Sequence, residues 1–325
     1  MRILIVKTSS LGDILHAFPI LDALPSAQID WVVERPFAEL VSRHPLVHQT
    51  LTVDTKQWRK GRSLKGFAEF CRTLRHTPYD WVFDLQGNCK SALFTLLARS
   101  KNKVGFGKET VPEWPNLLAT KTRYNPPPGR NIRQDYLYLV SQALGIPDEL
   151  PQRTTPLTVT AKERSQVDKL LAHPKLQQKR ILVCPGSAWP NKRLPLPALV
   201  TFCSRIDGGL IWLWGNDEER GLAHQLHQQF GTRSVVAPKL SLPALQHLMG
   251  QVDRIITMDS LPLHLAGLTS THTTSFFGPS LAAKYAPLGD HHTPLQGTCP
   301  YNQTFTKRCP KLRSCPTGAC MDSLV

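Results

Sequence analysis

Arg2-Ile3-Leu4-Ile5-Val6 runs into Lys7-Thr8-Ser9-Ser10-Leu11-Gly12-Asp13 and then into Ile14-Leu15-His16-Ala17-Phe18. The first five residues make an apolar run of strand length. A small, polar turn follows. Apolar residues then recur with helical spacing at Ile14, Leu15, Phe18 and Leu21. The passage reads as the first β–loop–α unit of an open α/β sheet, and ligands of such sheets bind beyond the carboxyl ends of the strands. Asp13 stands at that place, at the mouth of the helix. Two readings are open for it: a helix-capping carboxylate or a general base.

The same alternation continues outward. Residues 29–34, 51–53, 81–85 and 104–106 read as strands, with helical stretches beginning at 37–41 and 92 and covering 67–74. Pro126-Pro127-Pro128-Gly129 marks a loop. A helix over about 132–144 ends at Gly145 and Pro147. In the second half, 180–184, 209–213, 234–236, 254–257 and 273–277 read as strands, with helices over 218–230 and 242–249. The expected class is α/β, with parallel sheets and helices on both faces. Residues 146–160 carry several prolines and little periodicity, so they serve as a linker between domains at 1–155 and 156–325.

The length of 325 residues suits two domains that each bury a core. No apolar run is long enough to span a bilayer, and the first strand is too short for a signal-peptide core, which predicts a cytoplasmic protein. The eight cysteines form no evenly spaced secreted framework. Cys71, Cys89, Cys184 and Cys203 lie in apolar patterns and are expected as buried thiols. Cys299, Cys309, Cys315 and Cys320 are spaced unlike the tight pairs of zinc ribbons, so no metal is expected. A formal net charge of +15 implies an acidic partner: nucleic acid, an anionic membrane face or a phosphorylated substrate. Zinc-finger spacing and RNA-recognition aromatics are missing, which disfavours nucleic acid.

Val6 to His16 resembles the N-terminal signature of glycosyltransferase family 9, the bacterial ADP-heptose:lipopolysaccharide heptosyltransferases, in the Lys-Thr-Ser-Ser form of the heptosyltransferase I type. The resemblance implies a GT-B fold, with two facing Rossmann-like domains and a central cleft. It also implies that Asp13 is the base that deprotonates the acceptor hydroxyl, with the acceptor held by the first domain and the donor by the second.

On the donor side, Cys184-Pro185-Gly186-Ser187-Ala188-Trp189-Pro190-Asn191-Lys192-Arg193 follows a strand. Its backbone amides and the Ser187 hydroxyl suit a phosphate, and Lys192 suits a departing diphosphate. The plain alternative is a turn with a surface lysine. Ser187 and Lys192 match the family pattern, while Ala188 replaces its second hydroxyl. Asp217, in Trp214-Gly215-Asn216-Asp217, reads either as a donor contact by resemblance or as an acid at a helix start. Thr257-Met258-Asp259-Ser260-Leu261-Pro262-Leu263-His264 is a strand end that meets a helix start, where free amides attract phosphate. Asp259, Ser260 and His264 fall on the family motif, but Leu261 stands where the family has glycine, and its side chain could crowd the diphosphate. Phe276-Phe277-Gly278-Pro279-Ser280 reads as a structural turn at the edge of the donor pocket.

On the acceptor side, Asp84-Leu85-Gln86-Gly87-Asn88-Cys89-Lys90-Ser91 resembles another family run, and with Lys7 it assigns Gln86 and Lys90 to acidic sugars. The alternative for Lys90 is a solvated lysine. The segment Lys56-Gln57-Trp58-Arg59-Lys60-Gly61-Arg62 is either a solvated loop or, by resemblance, the segment that holds the acceptor's acidic sugars. In the second case Trp58 lies along a sugar or the membrane interface, and Arg59, Lys60 and Arg62 bind carboxylate or phosphate. Arg130 and Arg133 extend the same surface.

The expected function is an inverting glycosyltransferase that moves heptose from ADP-heptose to Kdo-lipid A in lipopolysaccharide inner-core assembly. No cofactor is required beyond the ADP-heptose donor substrate. The expected partners are the nucleotide sugar, an anionic glycolipid acceptor and the inner face of the inner membrane, with no nucleic acid. Two alternatives stand beside this: a family member with another nucleotide sugar or acceptor, and a nucleotide-sugar-binding protein without catalysis.

Overall fold

A computed structural model describes residues 1–61 and 64–324. The chain forms two compact units, Met1–Thr158 and Val159–Val325. In the first, β1 (Arg2–Val6), β2 (Gln28–Glu34), β3 (Val47–Val53), β4 (Trp81–Asp84), β5 (Asn102–Phe106) and β6 (Thr122–Tyr124) form one sheet in the order β3-β2-β1-β4-β5-β6. Every pairing is parallel. β1 is central, with Val6 in register with Val32 on one side and Asp84 on the other. Helices cover both faces of such a strand, which is why it reads as an unbroken apolar run, and Ile3 to Val6 are fully buried. On one face Leu4, Val6, Val82, Phe70, Leu74 and Phe94 pack into a core supplied by the helices Leu64–His76 and Cys89–Leu97.

The second unit repeats the plan with β7 (Arg180–Cys184), β8 (Gly209–Trp212), β9 (Ser234–Val236), β10 (Arg254–Met258), β11 (Thr273–Phe277) and β12 (His292–Gln296). The order β12-β11-β10-β7-β8-β9, again all parallel, is the same Rossmann order read from the other edge. In each unit the chain direction across the sheet reverses beside the first strand, between β1 and β4 and between β7 and β10. The loops there splay apart and leave a crevice, the switch point at which open α/β sheets bind ligands.

The strands read from sequence are present, and two more occupy sheet edges. β6 is only Thr-Arg-Tyr, and β12 contains Pro294, which an edge strand tolerates. Neither has the apolar run that marks the central strands. The helices Ala161–Leu171 and Leu196–Ser204 were not legible either. The first opens on a capping box between Thr160 and Glu163. One cysteine expectation is corrected. Cys184 and Cys203 are buried, but Cys71 is only half-buried and Cys89 is exposed at the first position of its helix, where its backbone N–H bonds Glu113 (2.8 Å). All eight cysteines are free thiols. Among the described residues, no helix is long and apolar enough to cross a membrane.

Candidate functional site

At the β1/β4 switch point, Asp13 is the third residue of the helix Leu11–Ala17. Its Oδ2 accepts the Ser10 backbone N–H (3.1 Å) and hydroxyl (2.8 Å), so it does cap the helix. Its Oδ1 lies 3.9 Å from His16 Nδ1, and the side chain keeps 29% of its surface exposed. Capping and base catalysis are therefore compatible here: one carboxylate edge is anchored, and the group as a whole still reaches solvent.

Gln86 ties the two switch loops together. Its Oε1 accepts the backbone N–H of Thr8 (3.1 Å) and of Ser9 (3.2 Å). Asp84, at the end of β4, is fully buried and accepts from Gln86 N, Gly87 N, Thr95 Oγ1 and Asn116 Nδ2 at 2.6–3.0 Å. Burial pushes its pKa up, against the hydrogen bonds that favour the carboxylate. Gly87 has φ +74°, and a Cβ there would strike the Pro112 ring, so the turn needs glycine.

Lys7 is buried with its ammonium on neutral acceptors, Leu85 O (3.1 Å) and Tyr136 Oη (2.8 Å), and over the Tyr136 ring. Burial lowers its pKa to about 8, although Asp13 and Asp84 pull the other way. Lys90 is not simply solvated: Glu34 accepts its ammonium at 2.9 Å. Trp58 lies in the short helix Thr55–Arg59 and packs against Phe67, Phe70 and Phe94, with ring centroids 5.2–6.4 Å away. It packs against the core of the first unit and stays part-exposed. Lys60 is exposed at the end of that helix, Arg59 is its last residue, and Arg62 lies outside the described residues. Arg130 forms a two-pronged pair with Asp148 at 2.6 and 2.9 Å, and Arg133 is buried. Neither forms an open basic surface with the segment at 56–62.

At the β7/β10 switch point, Lys192 and Asp259 meet across the two loops, with Nζ 2.5 Å from Oδ2, both nearly buried. Asp259 also accepts the Ser280 hydroxyl, and His264 Nε2 lies 3.7 Å from its Oδ1. Burial works against the Asp259 carboxylate, but Lys192, His264 and the Ser280 hydroxyl outweigh it and hold its pKa below the usual value. Ser260 is the N-cap of the helix Leu261–Ala266, and its buried Oγ has no hydrogen-bond partner among the described residues. A buried hydroxyl without a partner is costly, and a ligand oxygen at this crevice would satisfy it. Leu261, beside it, is half-buried.

Ser187 is buried, and Arg193 Nε binds its carbonyl at 2.8 Å. Asp217 is exposed as the first residue of the helix Asp217–Gln229, whose cap is Asn216. The sequence reading missed Glu219. Its carboxylate accepts Gly215 N (2.6 Å) and lies so close to Gly186 that any Cβ there would collide with it. It therefore joins the loops after β7 and β8, and the available signal was an acid two residues into a helix that starts at a strand end. Ser280, read only as part of a turn, is a direct partner of Asp259.

Cys299, Cys309, Cys315 and Cys320 all line one cavity of about 350 Å³ beside the turn at Gly278. Burial, with the other three cysteines adding to it, pushes the Cys320 thiol up to about 11. Among the described residues, no group of three or more His, Cys, Asp or Glu side chains stands where it could hold a metal ion. Met321 is buried in the core of the second unit with Phe276, which ties the tail to that unit's sheet.

The chain is 28% identical over 320 residues to lipopolysaccharide heptosyltransferase 1 of Pseudomonas aeruginosa, covering 95% of this chain and 87% of that protein. The structure of E. coli heptosyltransferase WaaC with ADP superposes with a TM-score of 0.74 at 26% identity, covering 90% of this chain and 92% of that one. WaaC with ADP-2-deoxy-2-fluoro heptose gives 0.72 at 26% identity, covering 92% and 94%. The sequence profile of glycosyltransferase family 9 (heptosyltransferase) matches residues 67–313, so the chain belongs to that family and is a glycosyltransferase.

Proposed function

We propose that this chain moves heptose from ADP-heptose to a Kdo-lipid A acceptor in a single inverting displacement. The observation that carries the reading is the Lys192–Asp259–Ser260 constellation at the β7/β10 switch point. It joins a buried ammonium, held in place by a carboxylate, to a hydroxyl that lacks a partner. That is the equipment a diphosphate requires. The family membership and the ADP and ADP-2-deoxy-2-fluoro heptose of the WaaC structures supply the nucleotide and the sugar.

Asp13 takes the proton of the acceptor hydroxyl as its oxygen attacks the anomeric carbon. The anchored Oδ2 fixes the direction of the group. The transition state has oxocarbenium character, and the bond to the diphosphate breaks as the new bond forms. Lys192 and the Ser187 and Ser260 hydroxyls stabilise the negative charge that builds on the departing ADP. Asp259 holds and aims the Lys192 ammonium, and His264 and Ser280 hold Asp259. Asp217 and Glu219 lie along the nucleoside side of the donor. Lys7, Gln86 and Lys90, with Lys60, Arg59 and Arg62, serve the acidic acceptor. In this role Gln86 acts by shaping the Thr8–Ser9 loop, and Trp58 acts by anchoring the basic segment to the core. The first unit is thus the acceptor domain and the second the donor domain, and the enzyme works on the inner membrane's cytoplasmic face.

The test is turnover of purified protein with ADP-heptose and Kdo-bearing lipid A, read as ADP release and heptosylated lipid. Turnover with a UDP- or GDP-sugar, and none with ADP-heptose, would overturn the reading.

A further inference from the structure

Four of the large apolar side chains that the chain leaves in water lie on two adjacent elements of the first unit. Leu93 (44% exposed) and Leu96 (53%) sit three residues apart on the helix Cys89–Leu97, hence on one face of it. Trp114 (70%) and Leu118 (74%) belong to the 3₁₀ segment Trp114–Ala119, which packs against that helix. Asn116 stitches the two together by donating to Asn88 O (3.1 Å) and Ser91 Oγ (3.2 Å). Single exposed leucines need no explanation, but four large apolar side chains exposed on two elements that pack together, one of them a tryptophan 70% exposed, do.

The rim of this patch is cationic. Arg75 and Arg99 share a groove with Leu93 and Leu96. Lys103 reaches the Leu96 carbonyl at 2.8 Å, and Lys121 is close enough to lower the Lys103 pKa further after burial has done so. Arg123 binds the Leu117 carbonyl at 2.6 Å. The nearby acid Glu113 is engaged with the Cys89 backbone N–H. The same segment lies over the acceptor loop, for Glu113 N bonds Gly87 O (3.1 Å) and the Pro112 ring covers Gly87.

From this juxtaposition we infer that the face built from Cys89–Leu97 and Trp114–Ala119 is where the protein docks on an anionic lipid bilayer, with Leu93, Leu96, Trp114 and Leu118 entering the headgroup boundary. Apolar side chains that include a tryptophan, ringed by Lys and Arg, match both layers that such a surface presents: acyl chains below and phosphates above. A second copy of this chain would present the same positive rim, so self-association is opposed by like charge. The net charge of +15 acts in the same direction as the local rim. The inference rests on the reading that the acceptor is lipid-borne. It adds which face meets the lipid, and that this face adjoins the loop at Gly87.

The experiment is flotation of the full chain with vesicles of phosphatidylcholine alone or mixed with phosphatidylglycerol, free of any glycolipid acceptor, so that its outcome does not depend on the sugar chemistry. The wild type is expected to bind the anionic vesicles and not the neutral ones. The variant Leu96→Asp/Trp114→Ala/Leu118→Asp is expected to lose binding by on the order of tenfold or more, while its thermal melting and ADP affinity stay unchanged, since all three side chains are exposed and outside the site. A single Trp114→Ala variant is expected to fall between, which covers the case in which the triple variant fails to fold. Equal binding by wild type and variants, no binding by the wild type, or equal binding to neutral and anionic vesicles would each overturn the inference. So would a wild-type oligomer that the variant dissolves without any change in lipid binding, which would make the face a protein interface.

Discussion

The two switch points share a topology and differ in how they handle charge. At β7/β10 a lysine and a carboxylate from opposite loops pair directly, Lys192 with Asp259. At β1/β4 the equivalent charges stay apart. Lys7 rests on a carbonyl and a phenol, and Asp84 is satisfied by two amides, a hydroxyl and an amide side chain. The paired arrangement limits the cost of burying charge at the switch point. The separated arrangement spends its carboxylate on building the turn at Gln86 and Gly87. The second unit thus pairs its charges at the switch point, whereas the first keeps its buried lysine and aspartate apart, beside the part-exposed carboxylate of Asp13.

The largest expected effect tests that last point. Asp13→Asn keeps much of the cap and removes the base. Its kcat should fall on the order of 10²–10⁴-fold, with ADP affinity unchanged. A well-folded Asp13→Asn enzyme with normal kcat would remove Asp13 from the chemistry and leave it as a cap.

A reciprocal pair of variants tests the division between charge and scaffold. Lys192→Ala should weaken ADP binding and lower kcat, together on the order of 10²–10³-fold, because the ammonium contacts the diphosphate in the ground state and more strongly as charge builds. Asp84→Ala should do the opposite. It removes the shared acceptor of four donors, three of those hydrogen bonds buried, and should cost roughly 3 kcal/mol in urea unfolding, with ADP affinity intact in the protein that remains folded. If Asp84→Ala lowers ADP affinity and leaves stability alone, the contrast between the two crevices fails.

The separated lysine also predicts a pH signature. Lys7 has a folded pKa of about 8 against 10.5 for an ordinary lysine. Between those values the unfolded chain holds the proton and the folded chain has released it, so folding becomes more favourable as pH rises through that window. Below pH 8 the buried charge is a standing cost, at most about 3 kcal/mol for a shift of this size. Wild-type stability relative to Lys7→Met should therefore increase between pH 8 and 10, as read by urea titrations at each pH. A flat difference would mean that Lys7 keeps its proton and that its environment is more polar than its neutral partners imply.

The sequence revealed the positions of these groups more readily than their partnerships. β1 and β7 were legible because a strand covered on both faces must be apolar throughout, and the residues just after such strands are where ligands bind. Edge strands β6 and β12 lack that constraint and left no mark. Pairings depend on the assembled sheet: Lys192 and Asp259 are 67 positions apart, and Lys7 and Tyr136 are 129 apart. No local pattern encodes them. Trp58 shows the same limit. A tryptophan among lysines and arginines reads as an interfacial side chain, but the phenylalanines that enclose it come from the helices Leu64–His76 and Cys89–Leu97, so only the packed structure turns it inward. The exposed leucines of Cys89–Leu97 are the converse case: in sequence they look like core.

The smallest expected effect concerns the basic segment, where the comparison between crevices is sharpest. Replacing Arg59, Lys60 and Arg62 with Ala should raise the acceptor KM by a factor of about 3–10, since charge pairs in water contribute only modestly. It should also flatten the dependence of that KM on salt, because attraction between exposed charges is screened within about 10 Å at 0.1 M ionic strength. The donor KM should hardly move, as Lys192 and Asp259 belong to the other unit and are paired within it. Trp58→Ala separates anchoring from contact. If Trp58 works by packing, its removal lowers stability first and acceptor affinity only through the displaced helix Thr55–Arg59. A Trp58→Ala enzyme of unchanged melting temperature with a raised acceptor KM would instead put the indole on the sugar. A triple variant that loses donor affinity and keeps acceptor affinity would exchange the roles given to the two crevices.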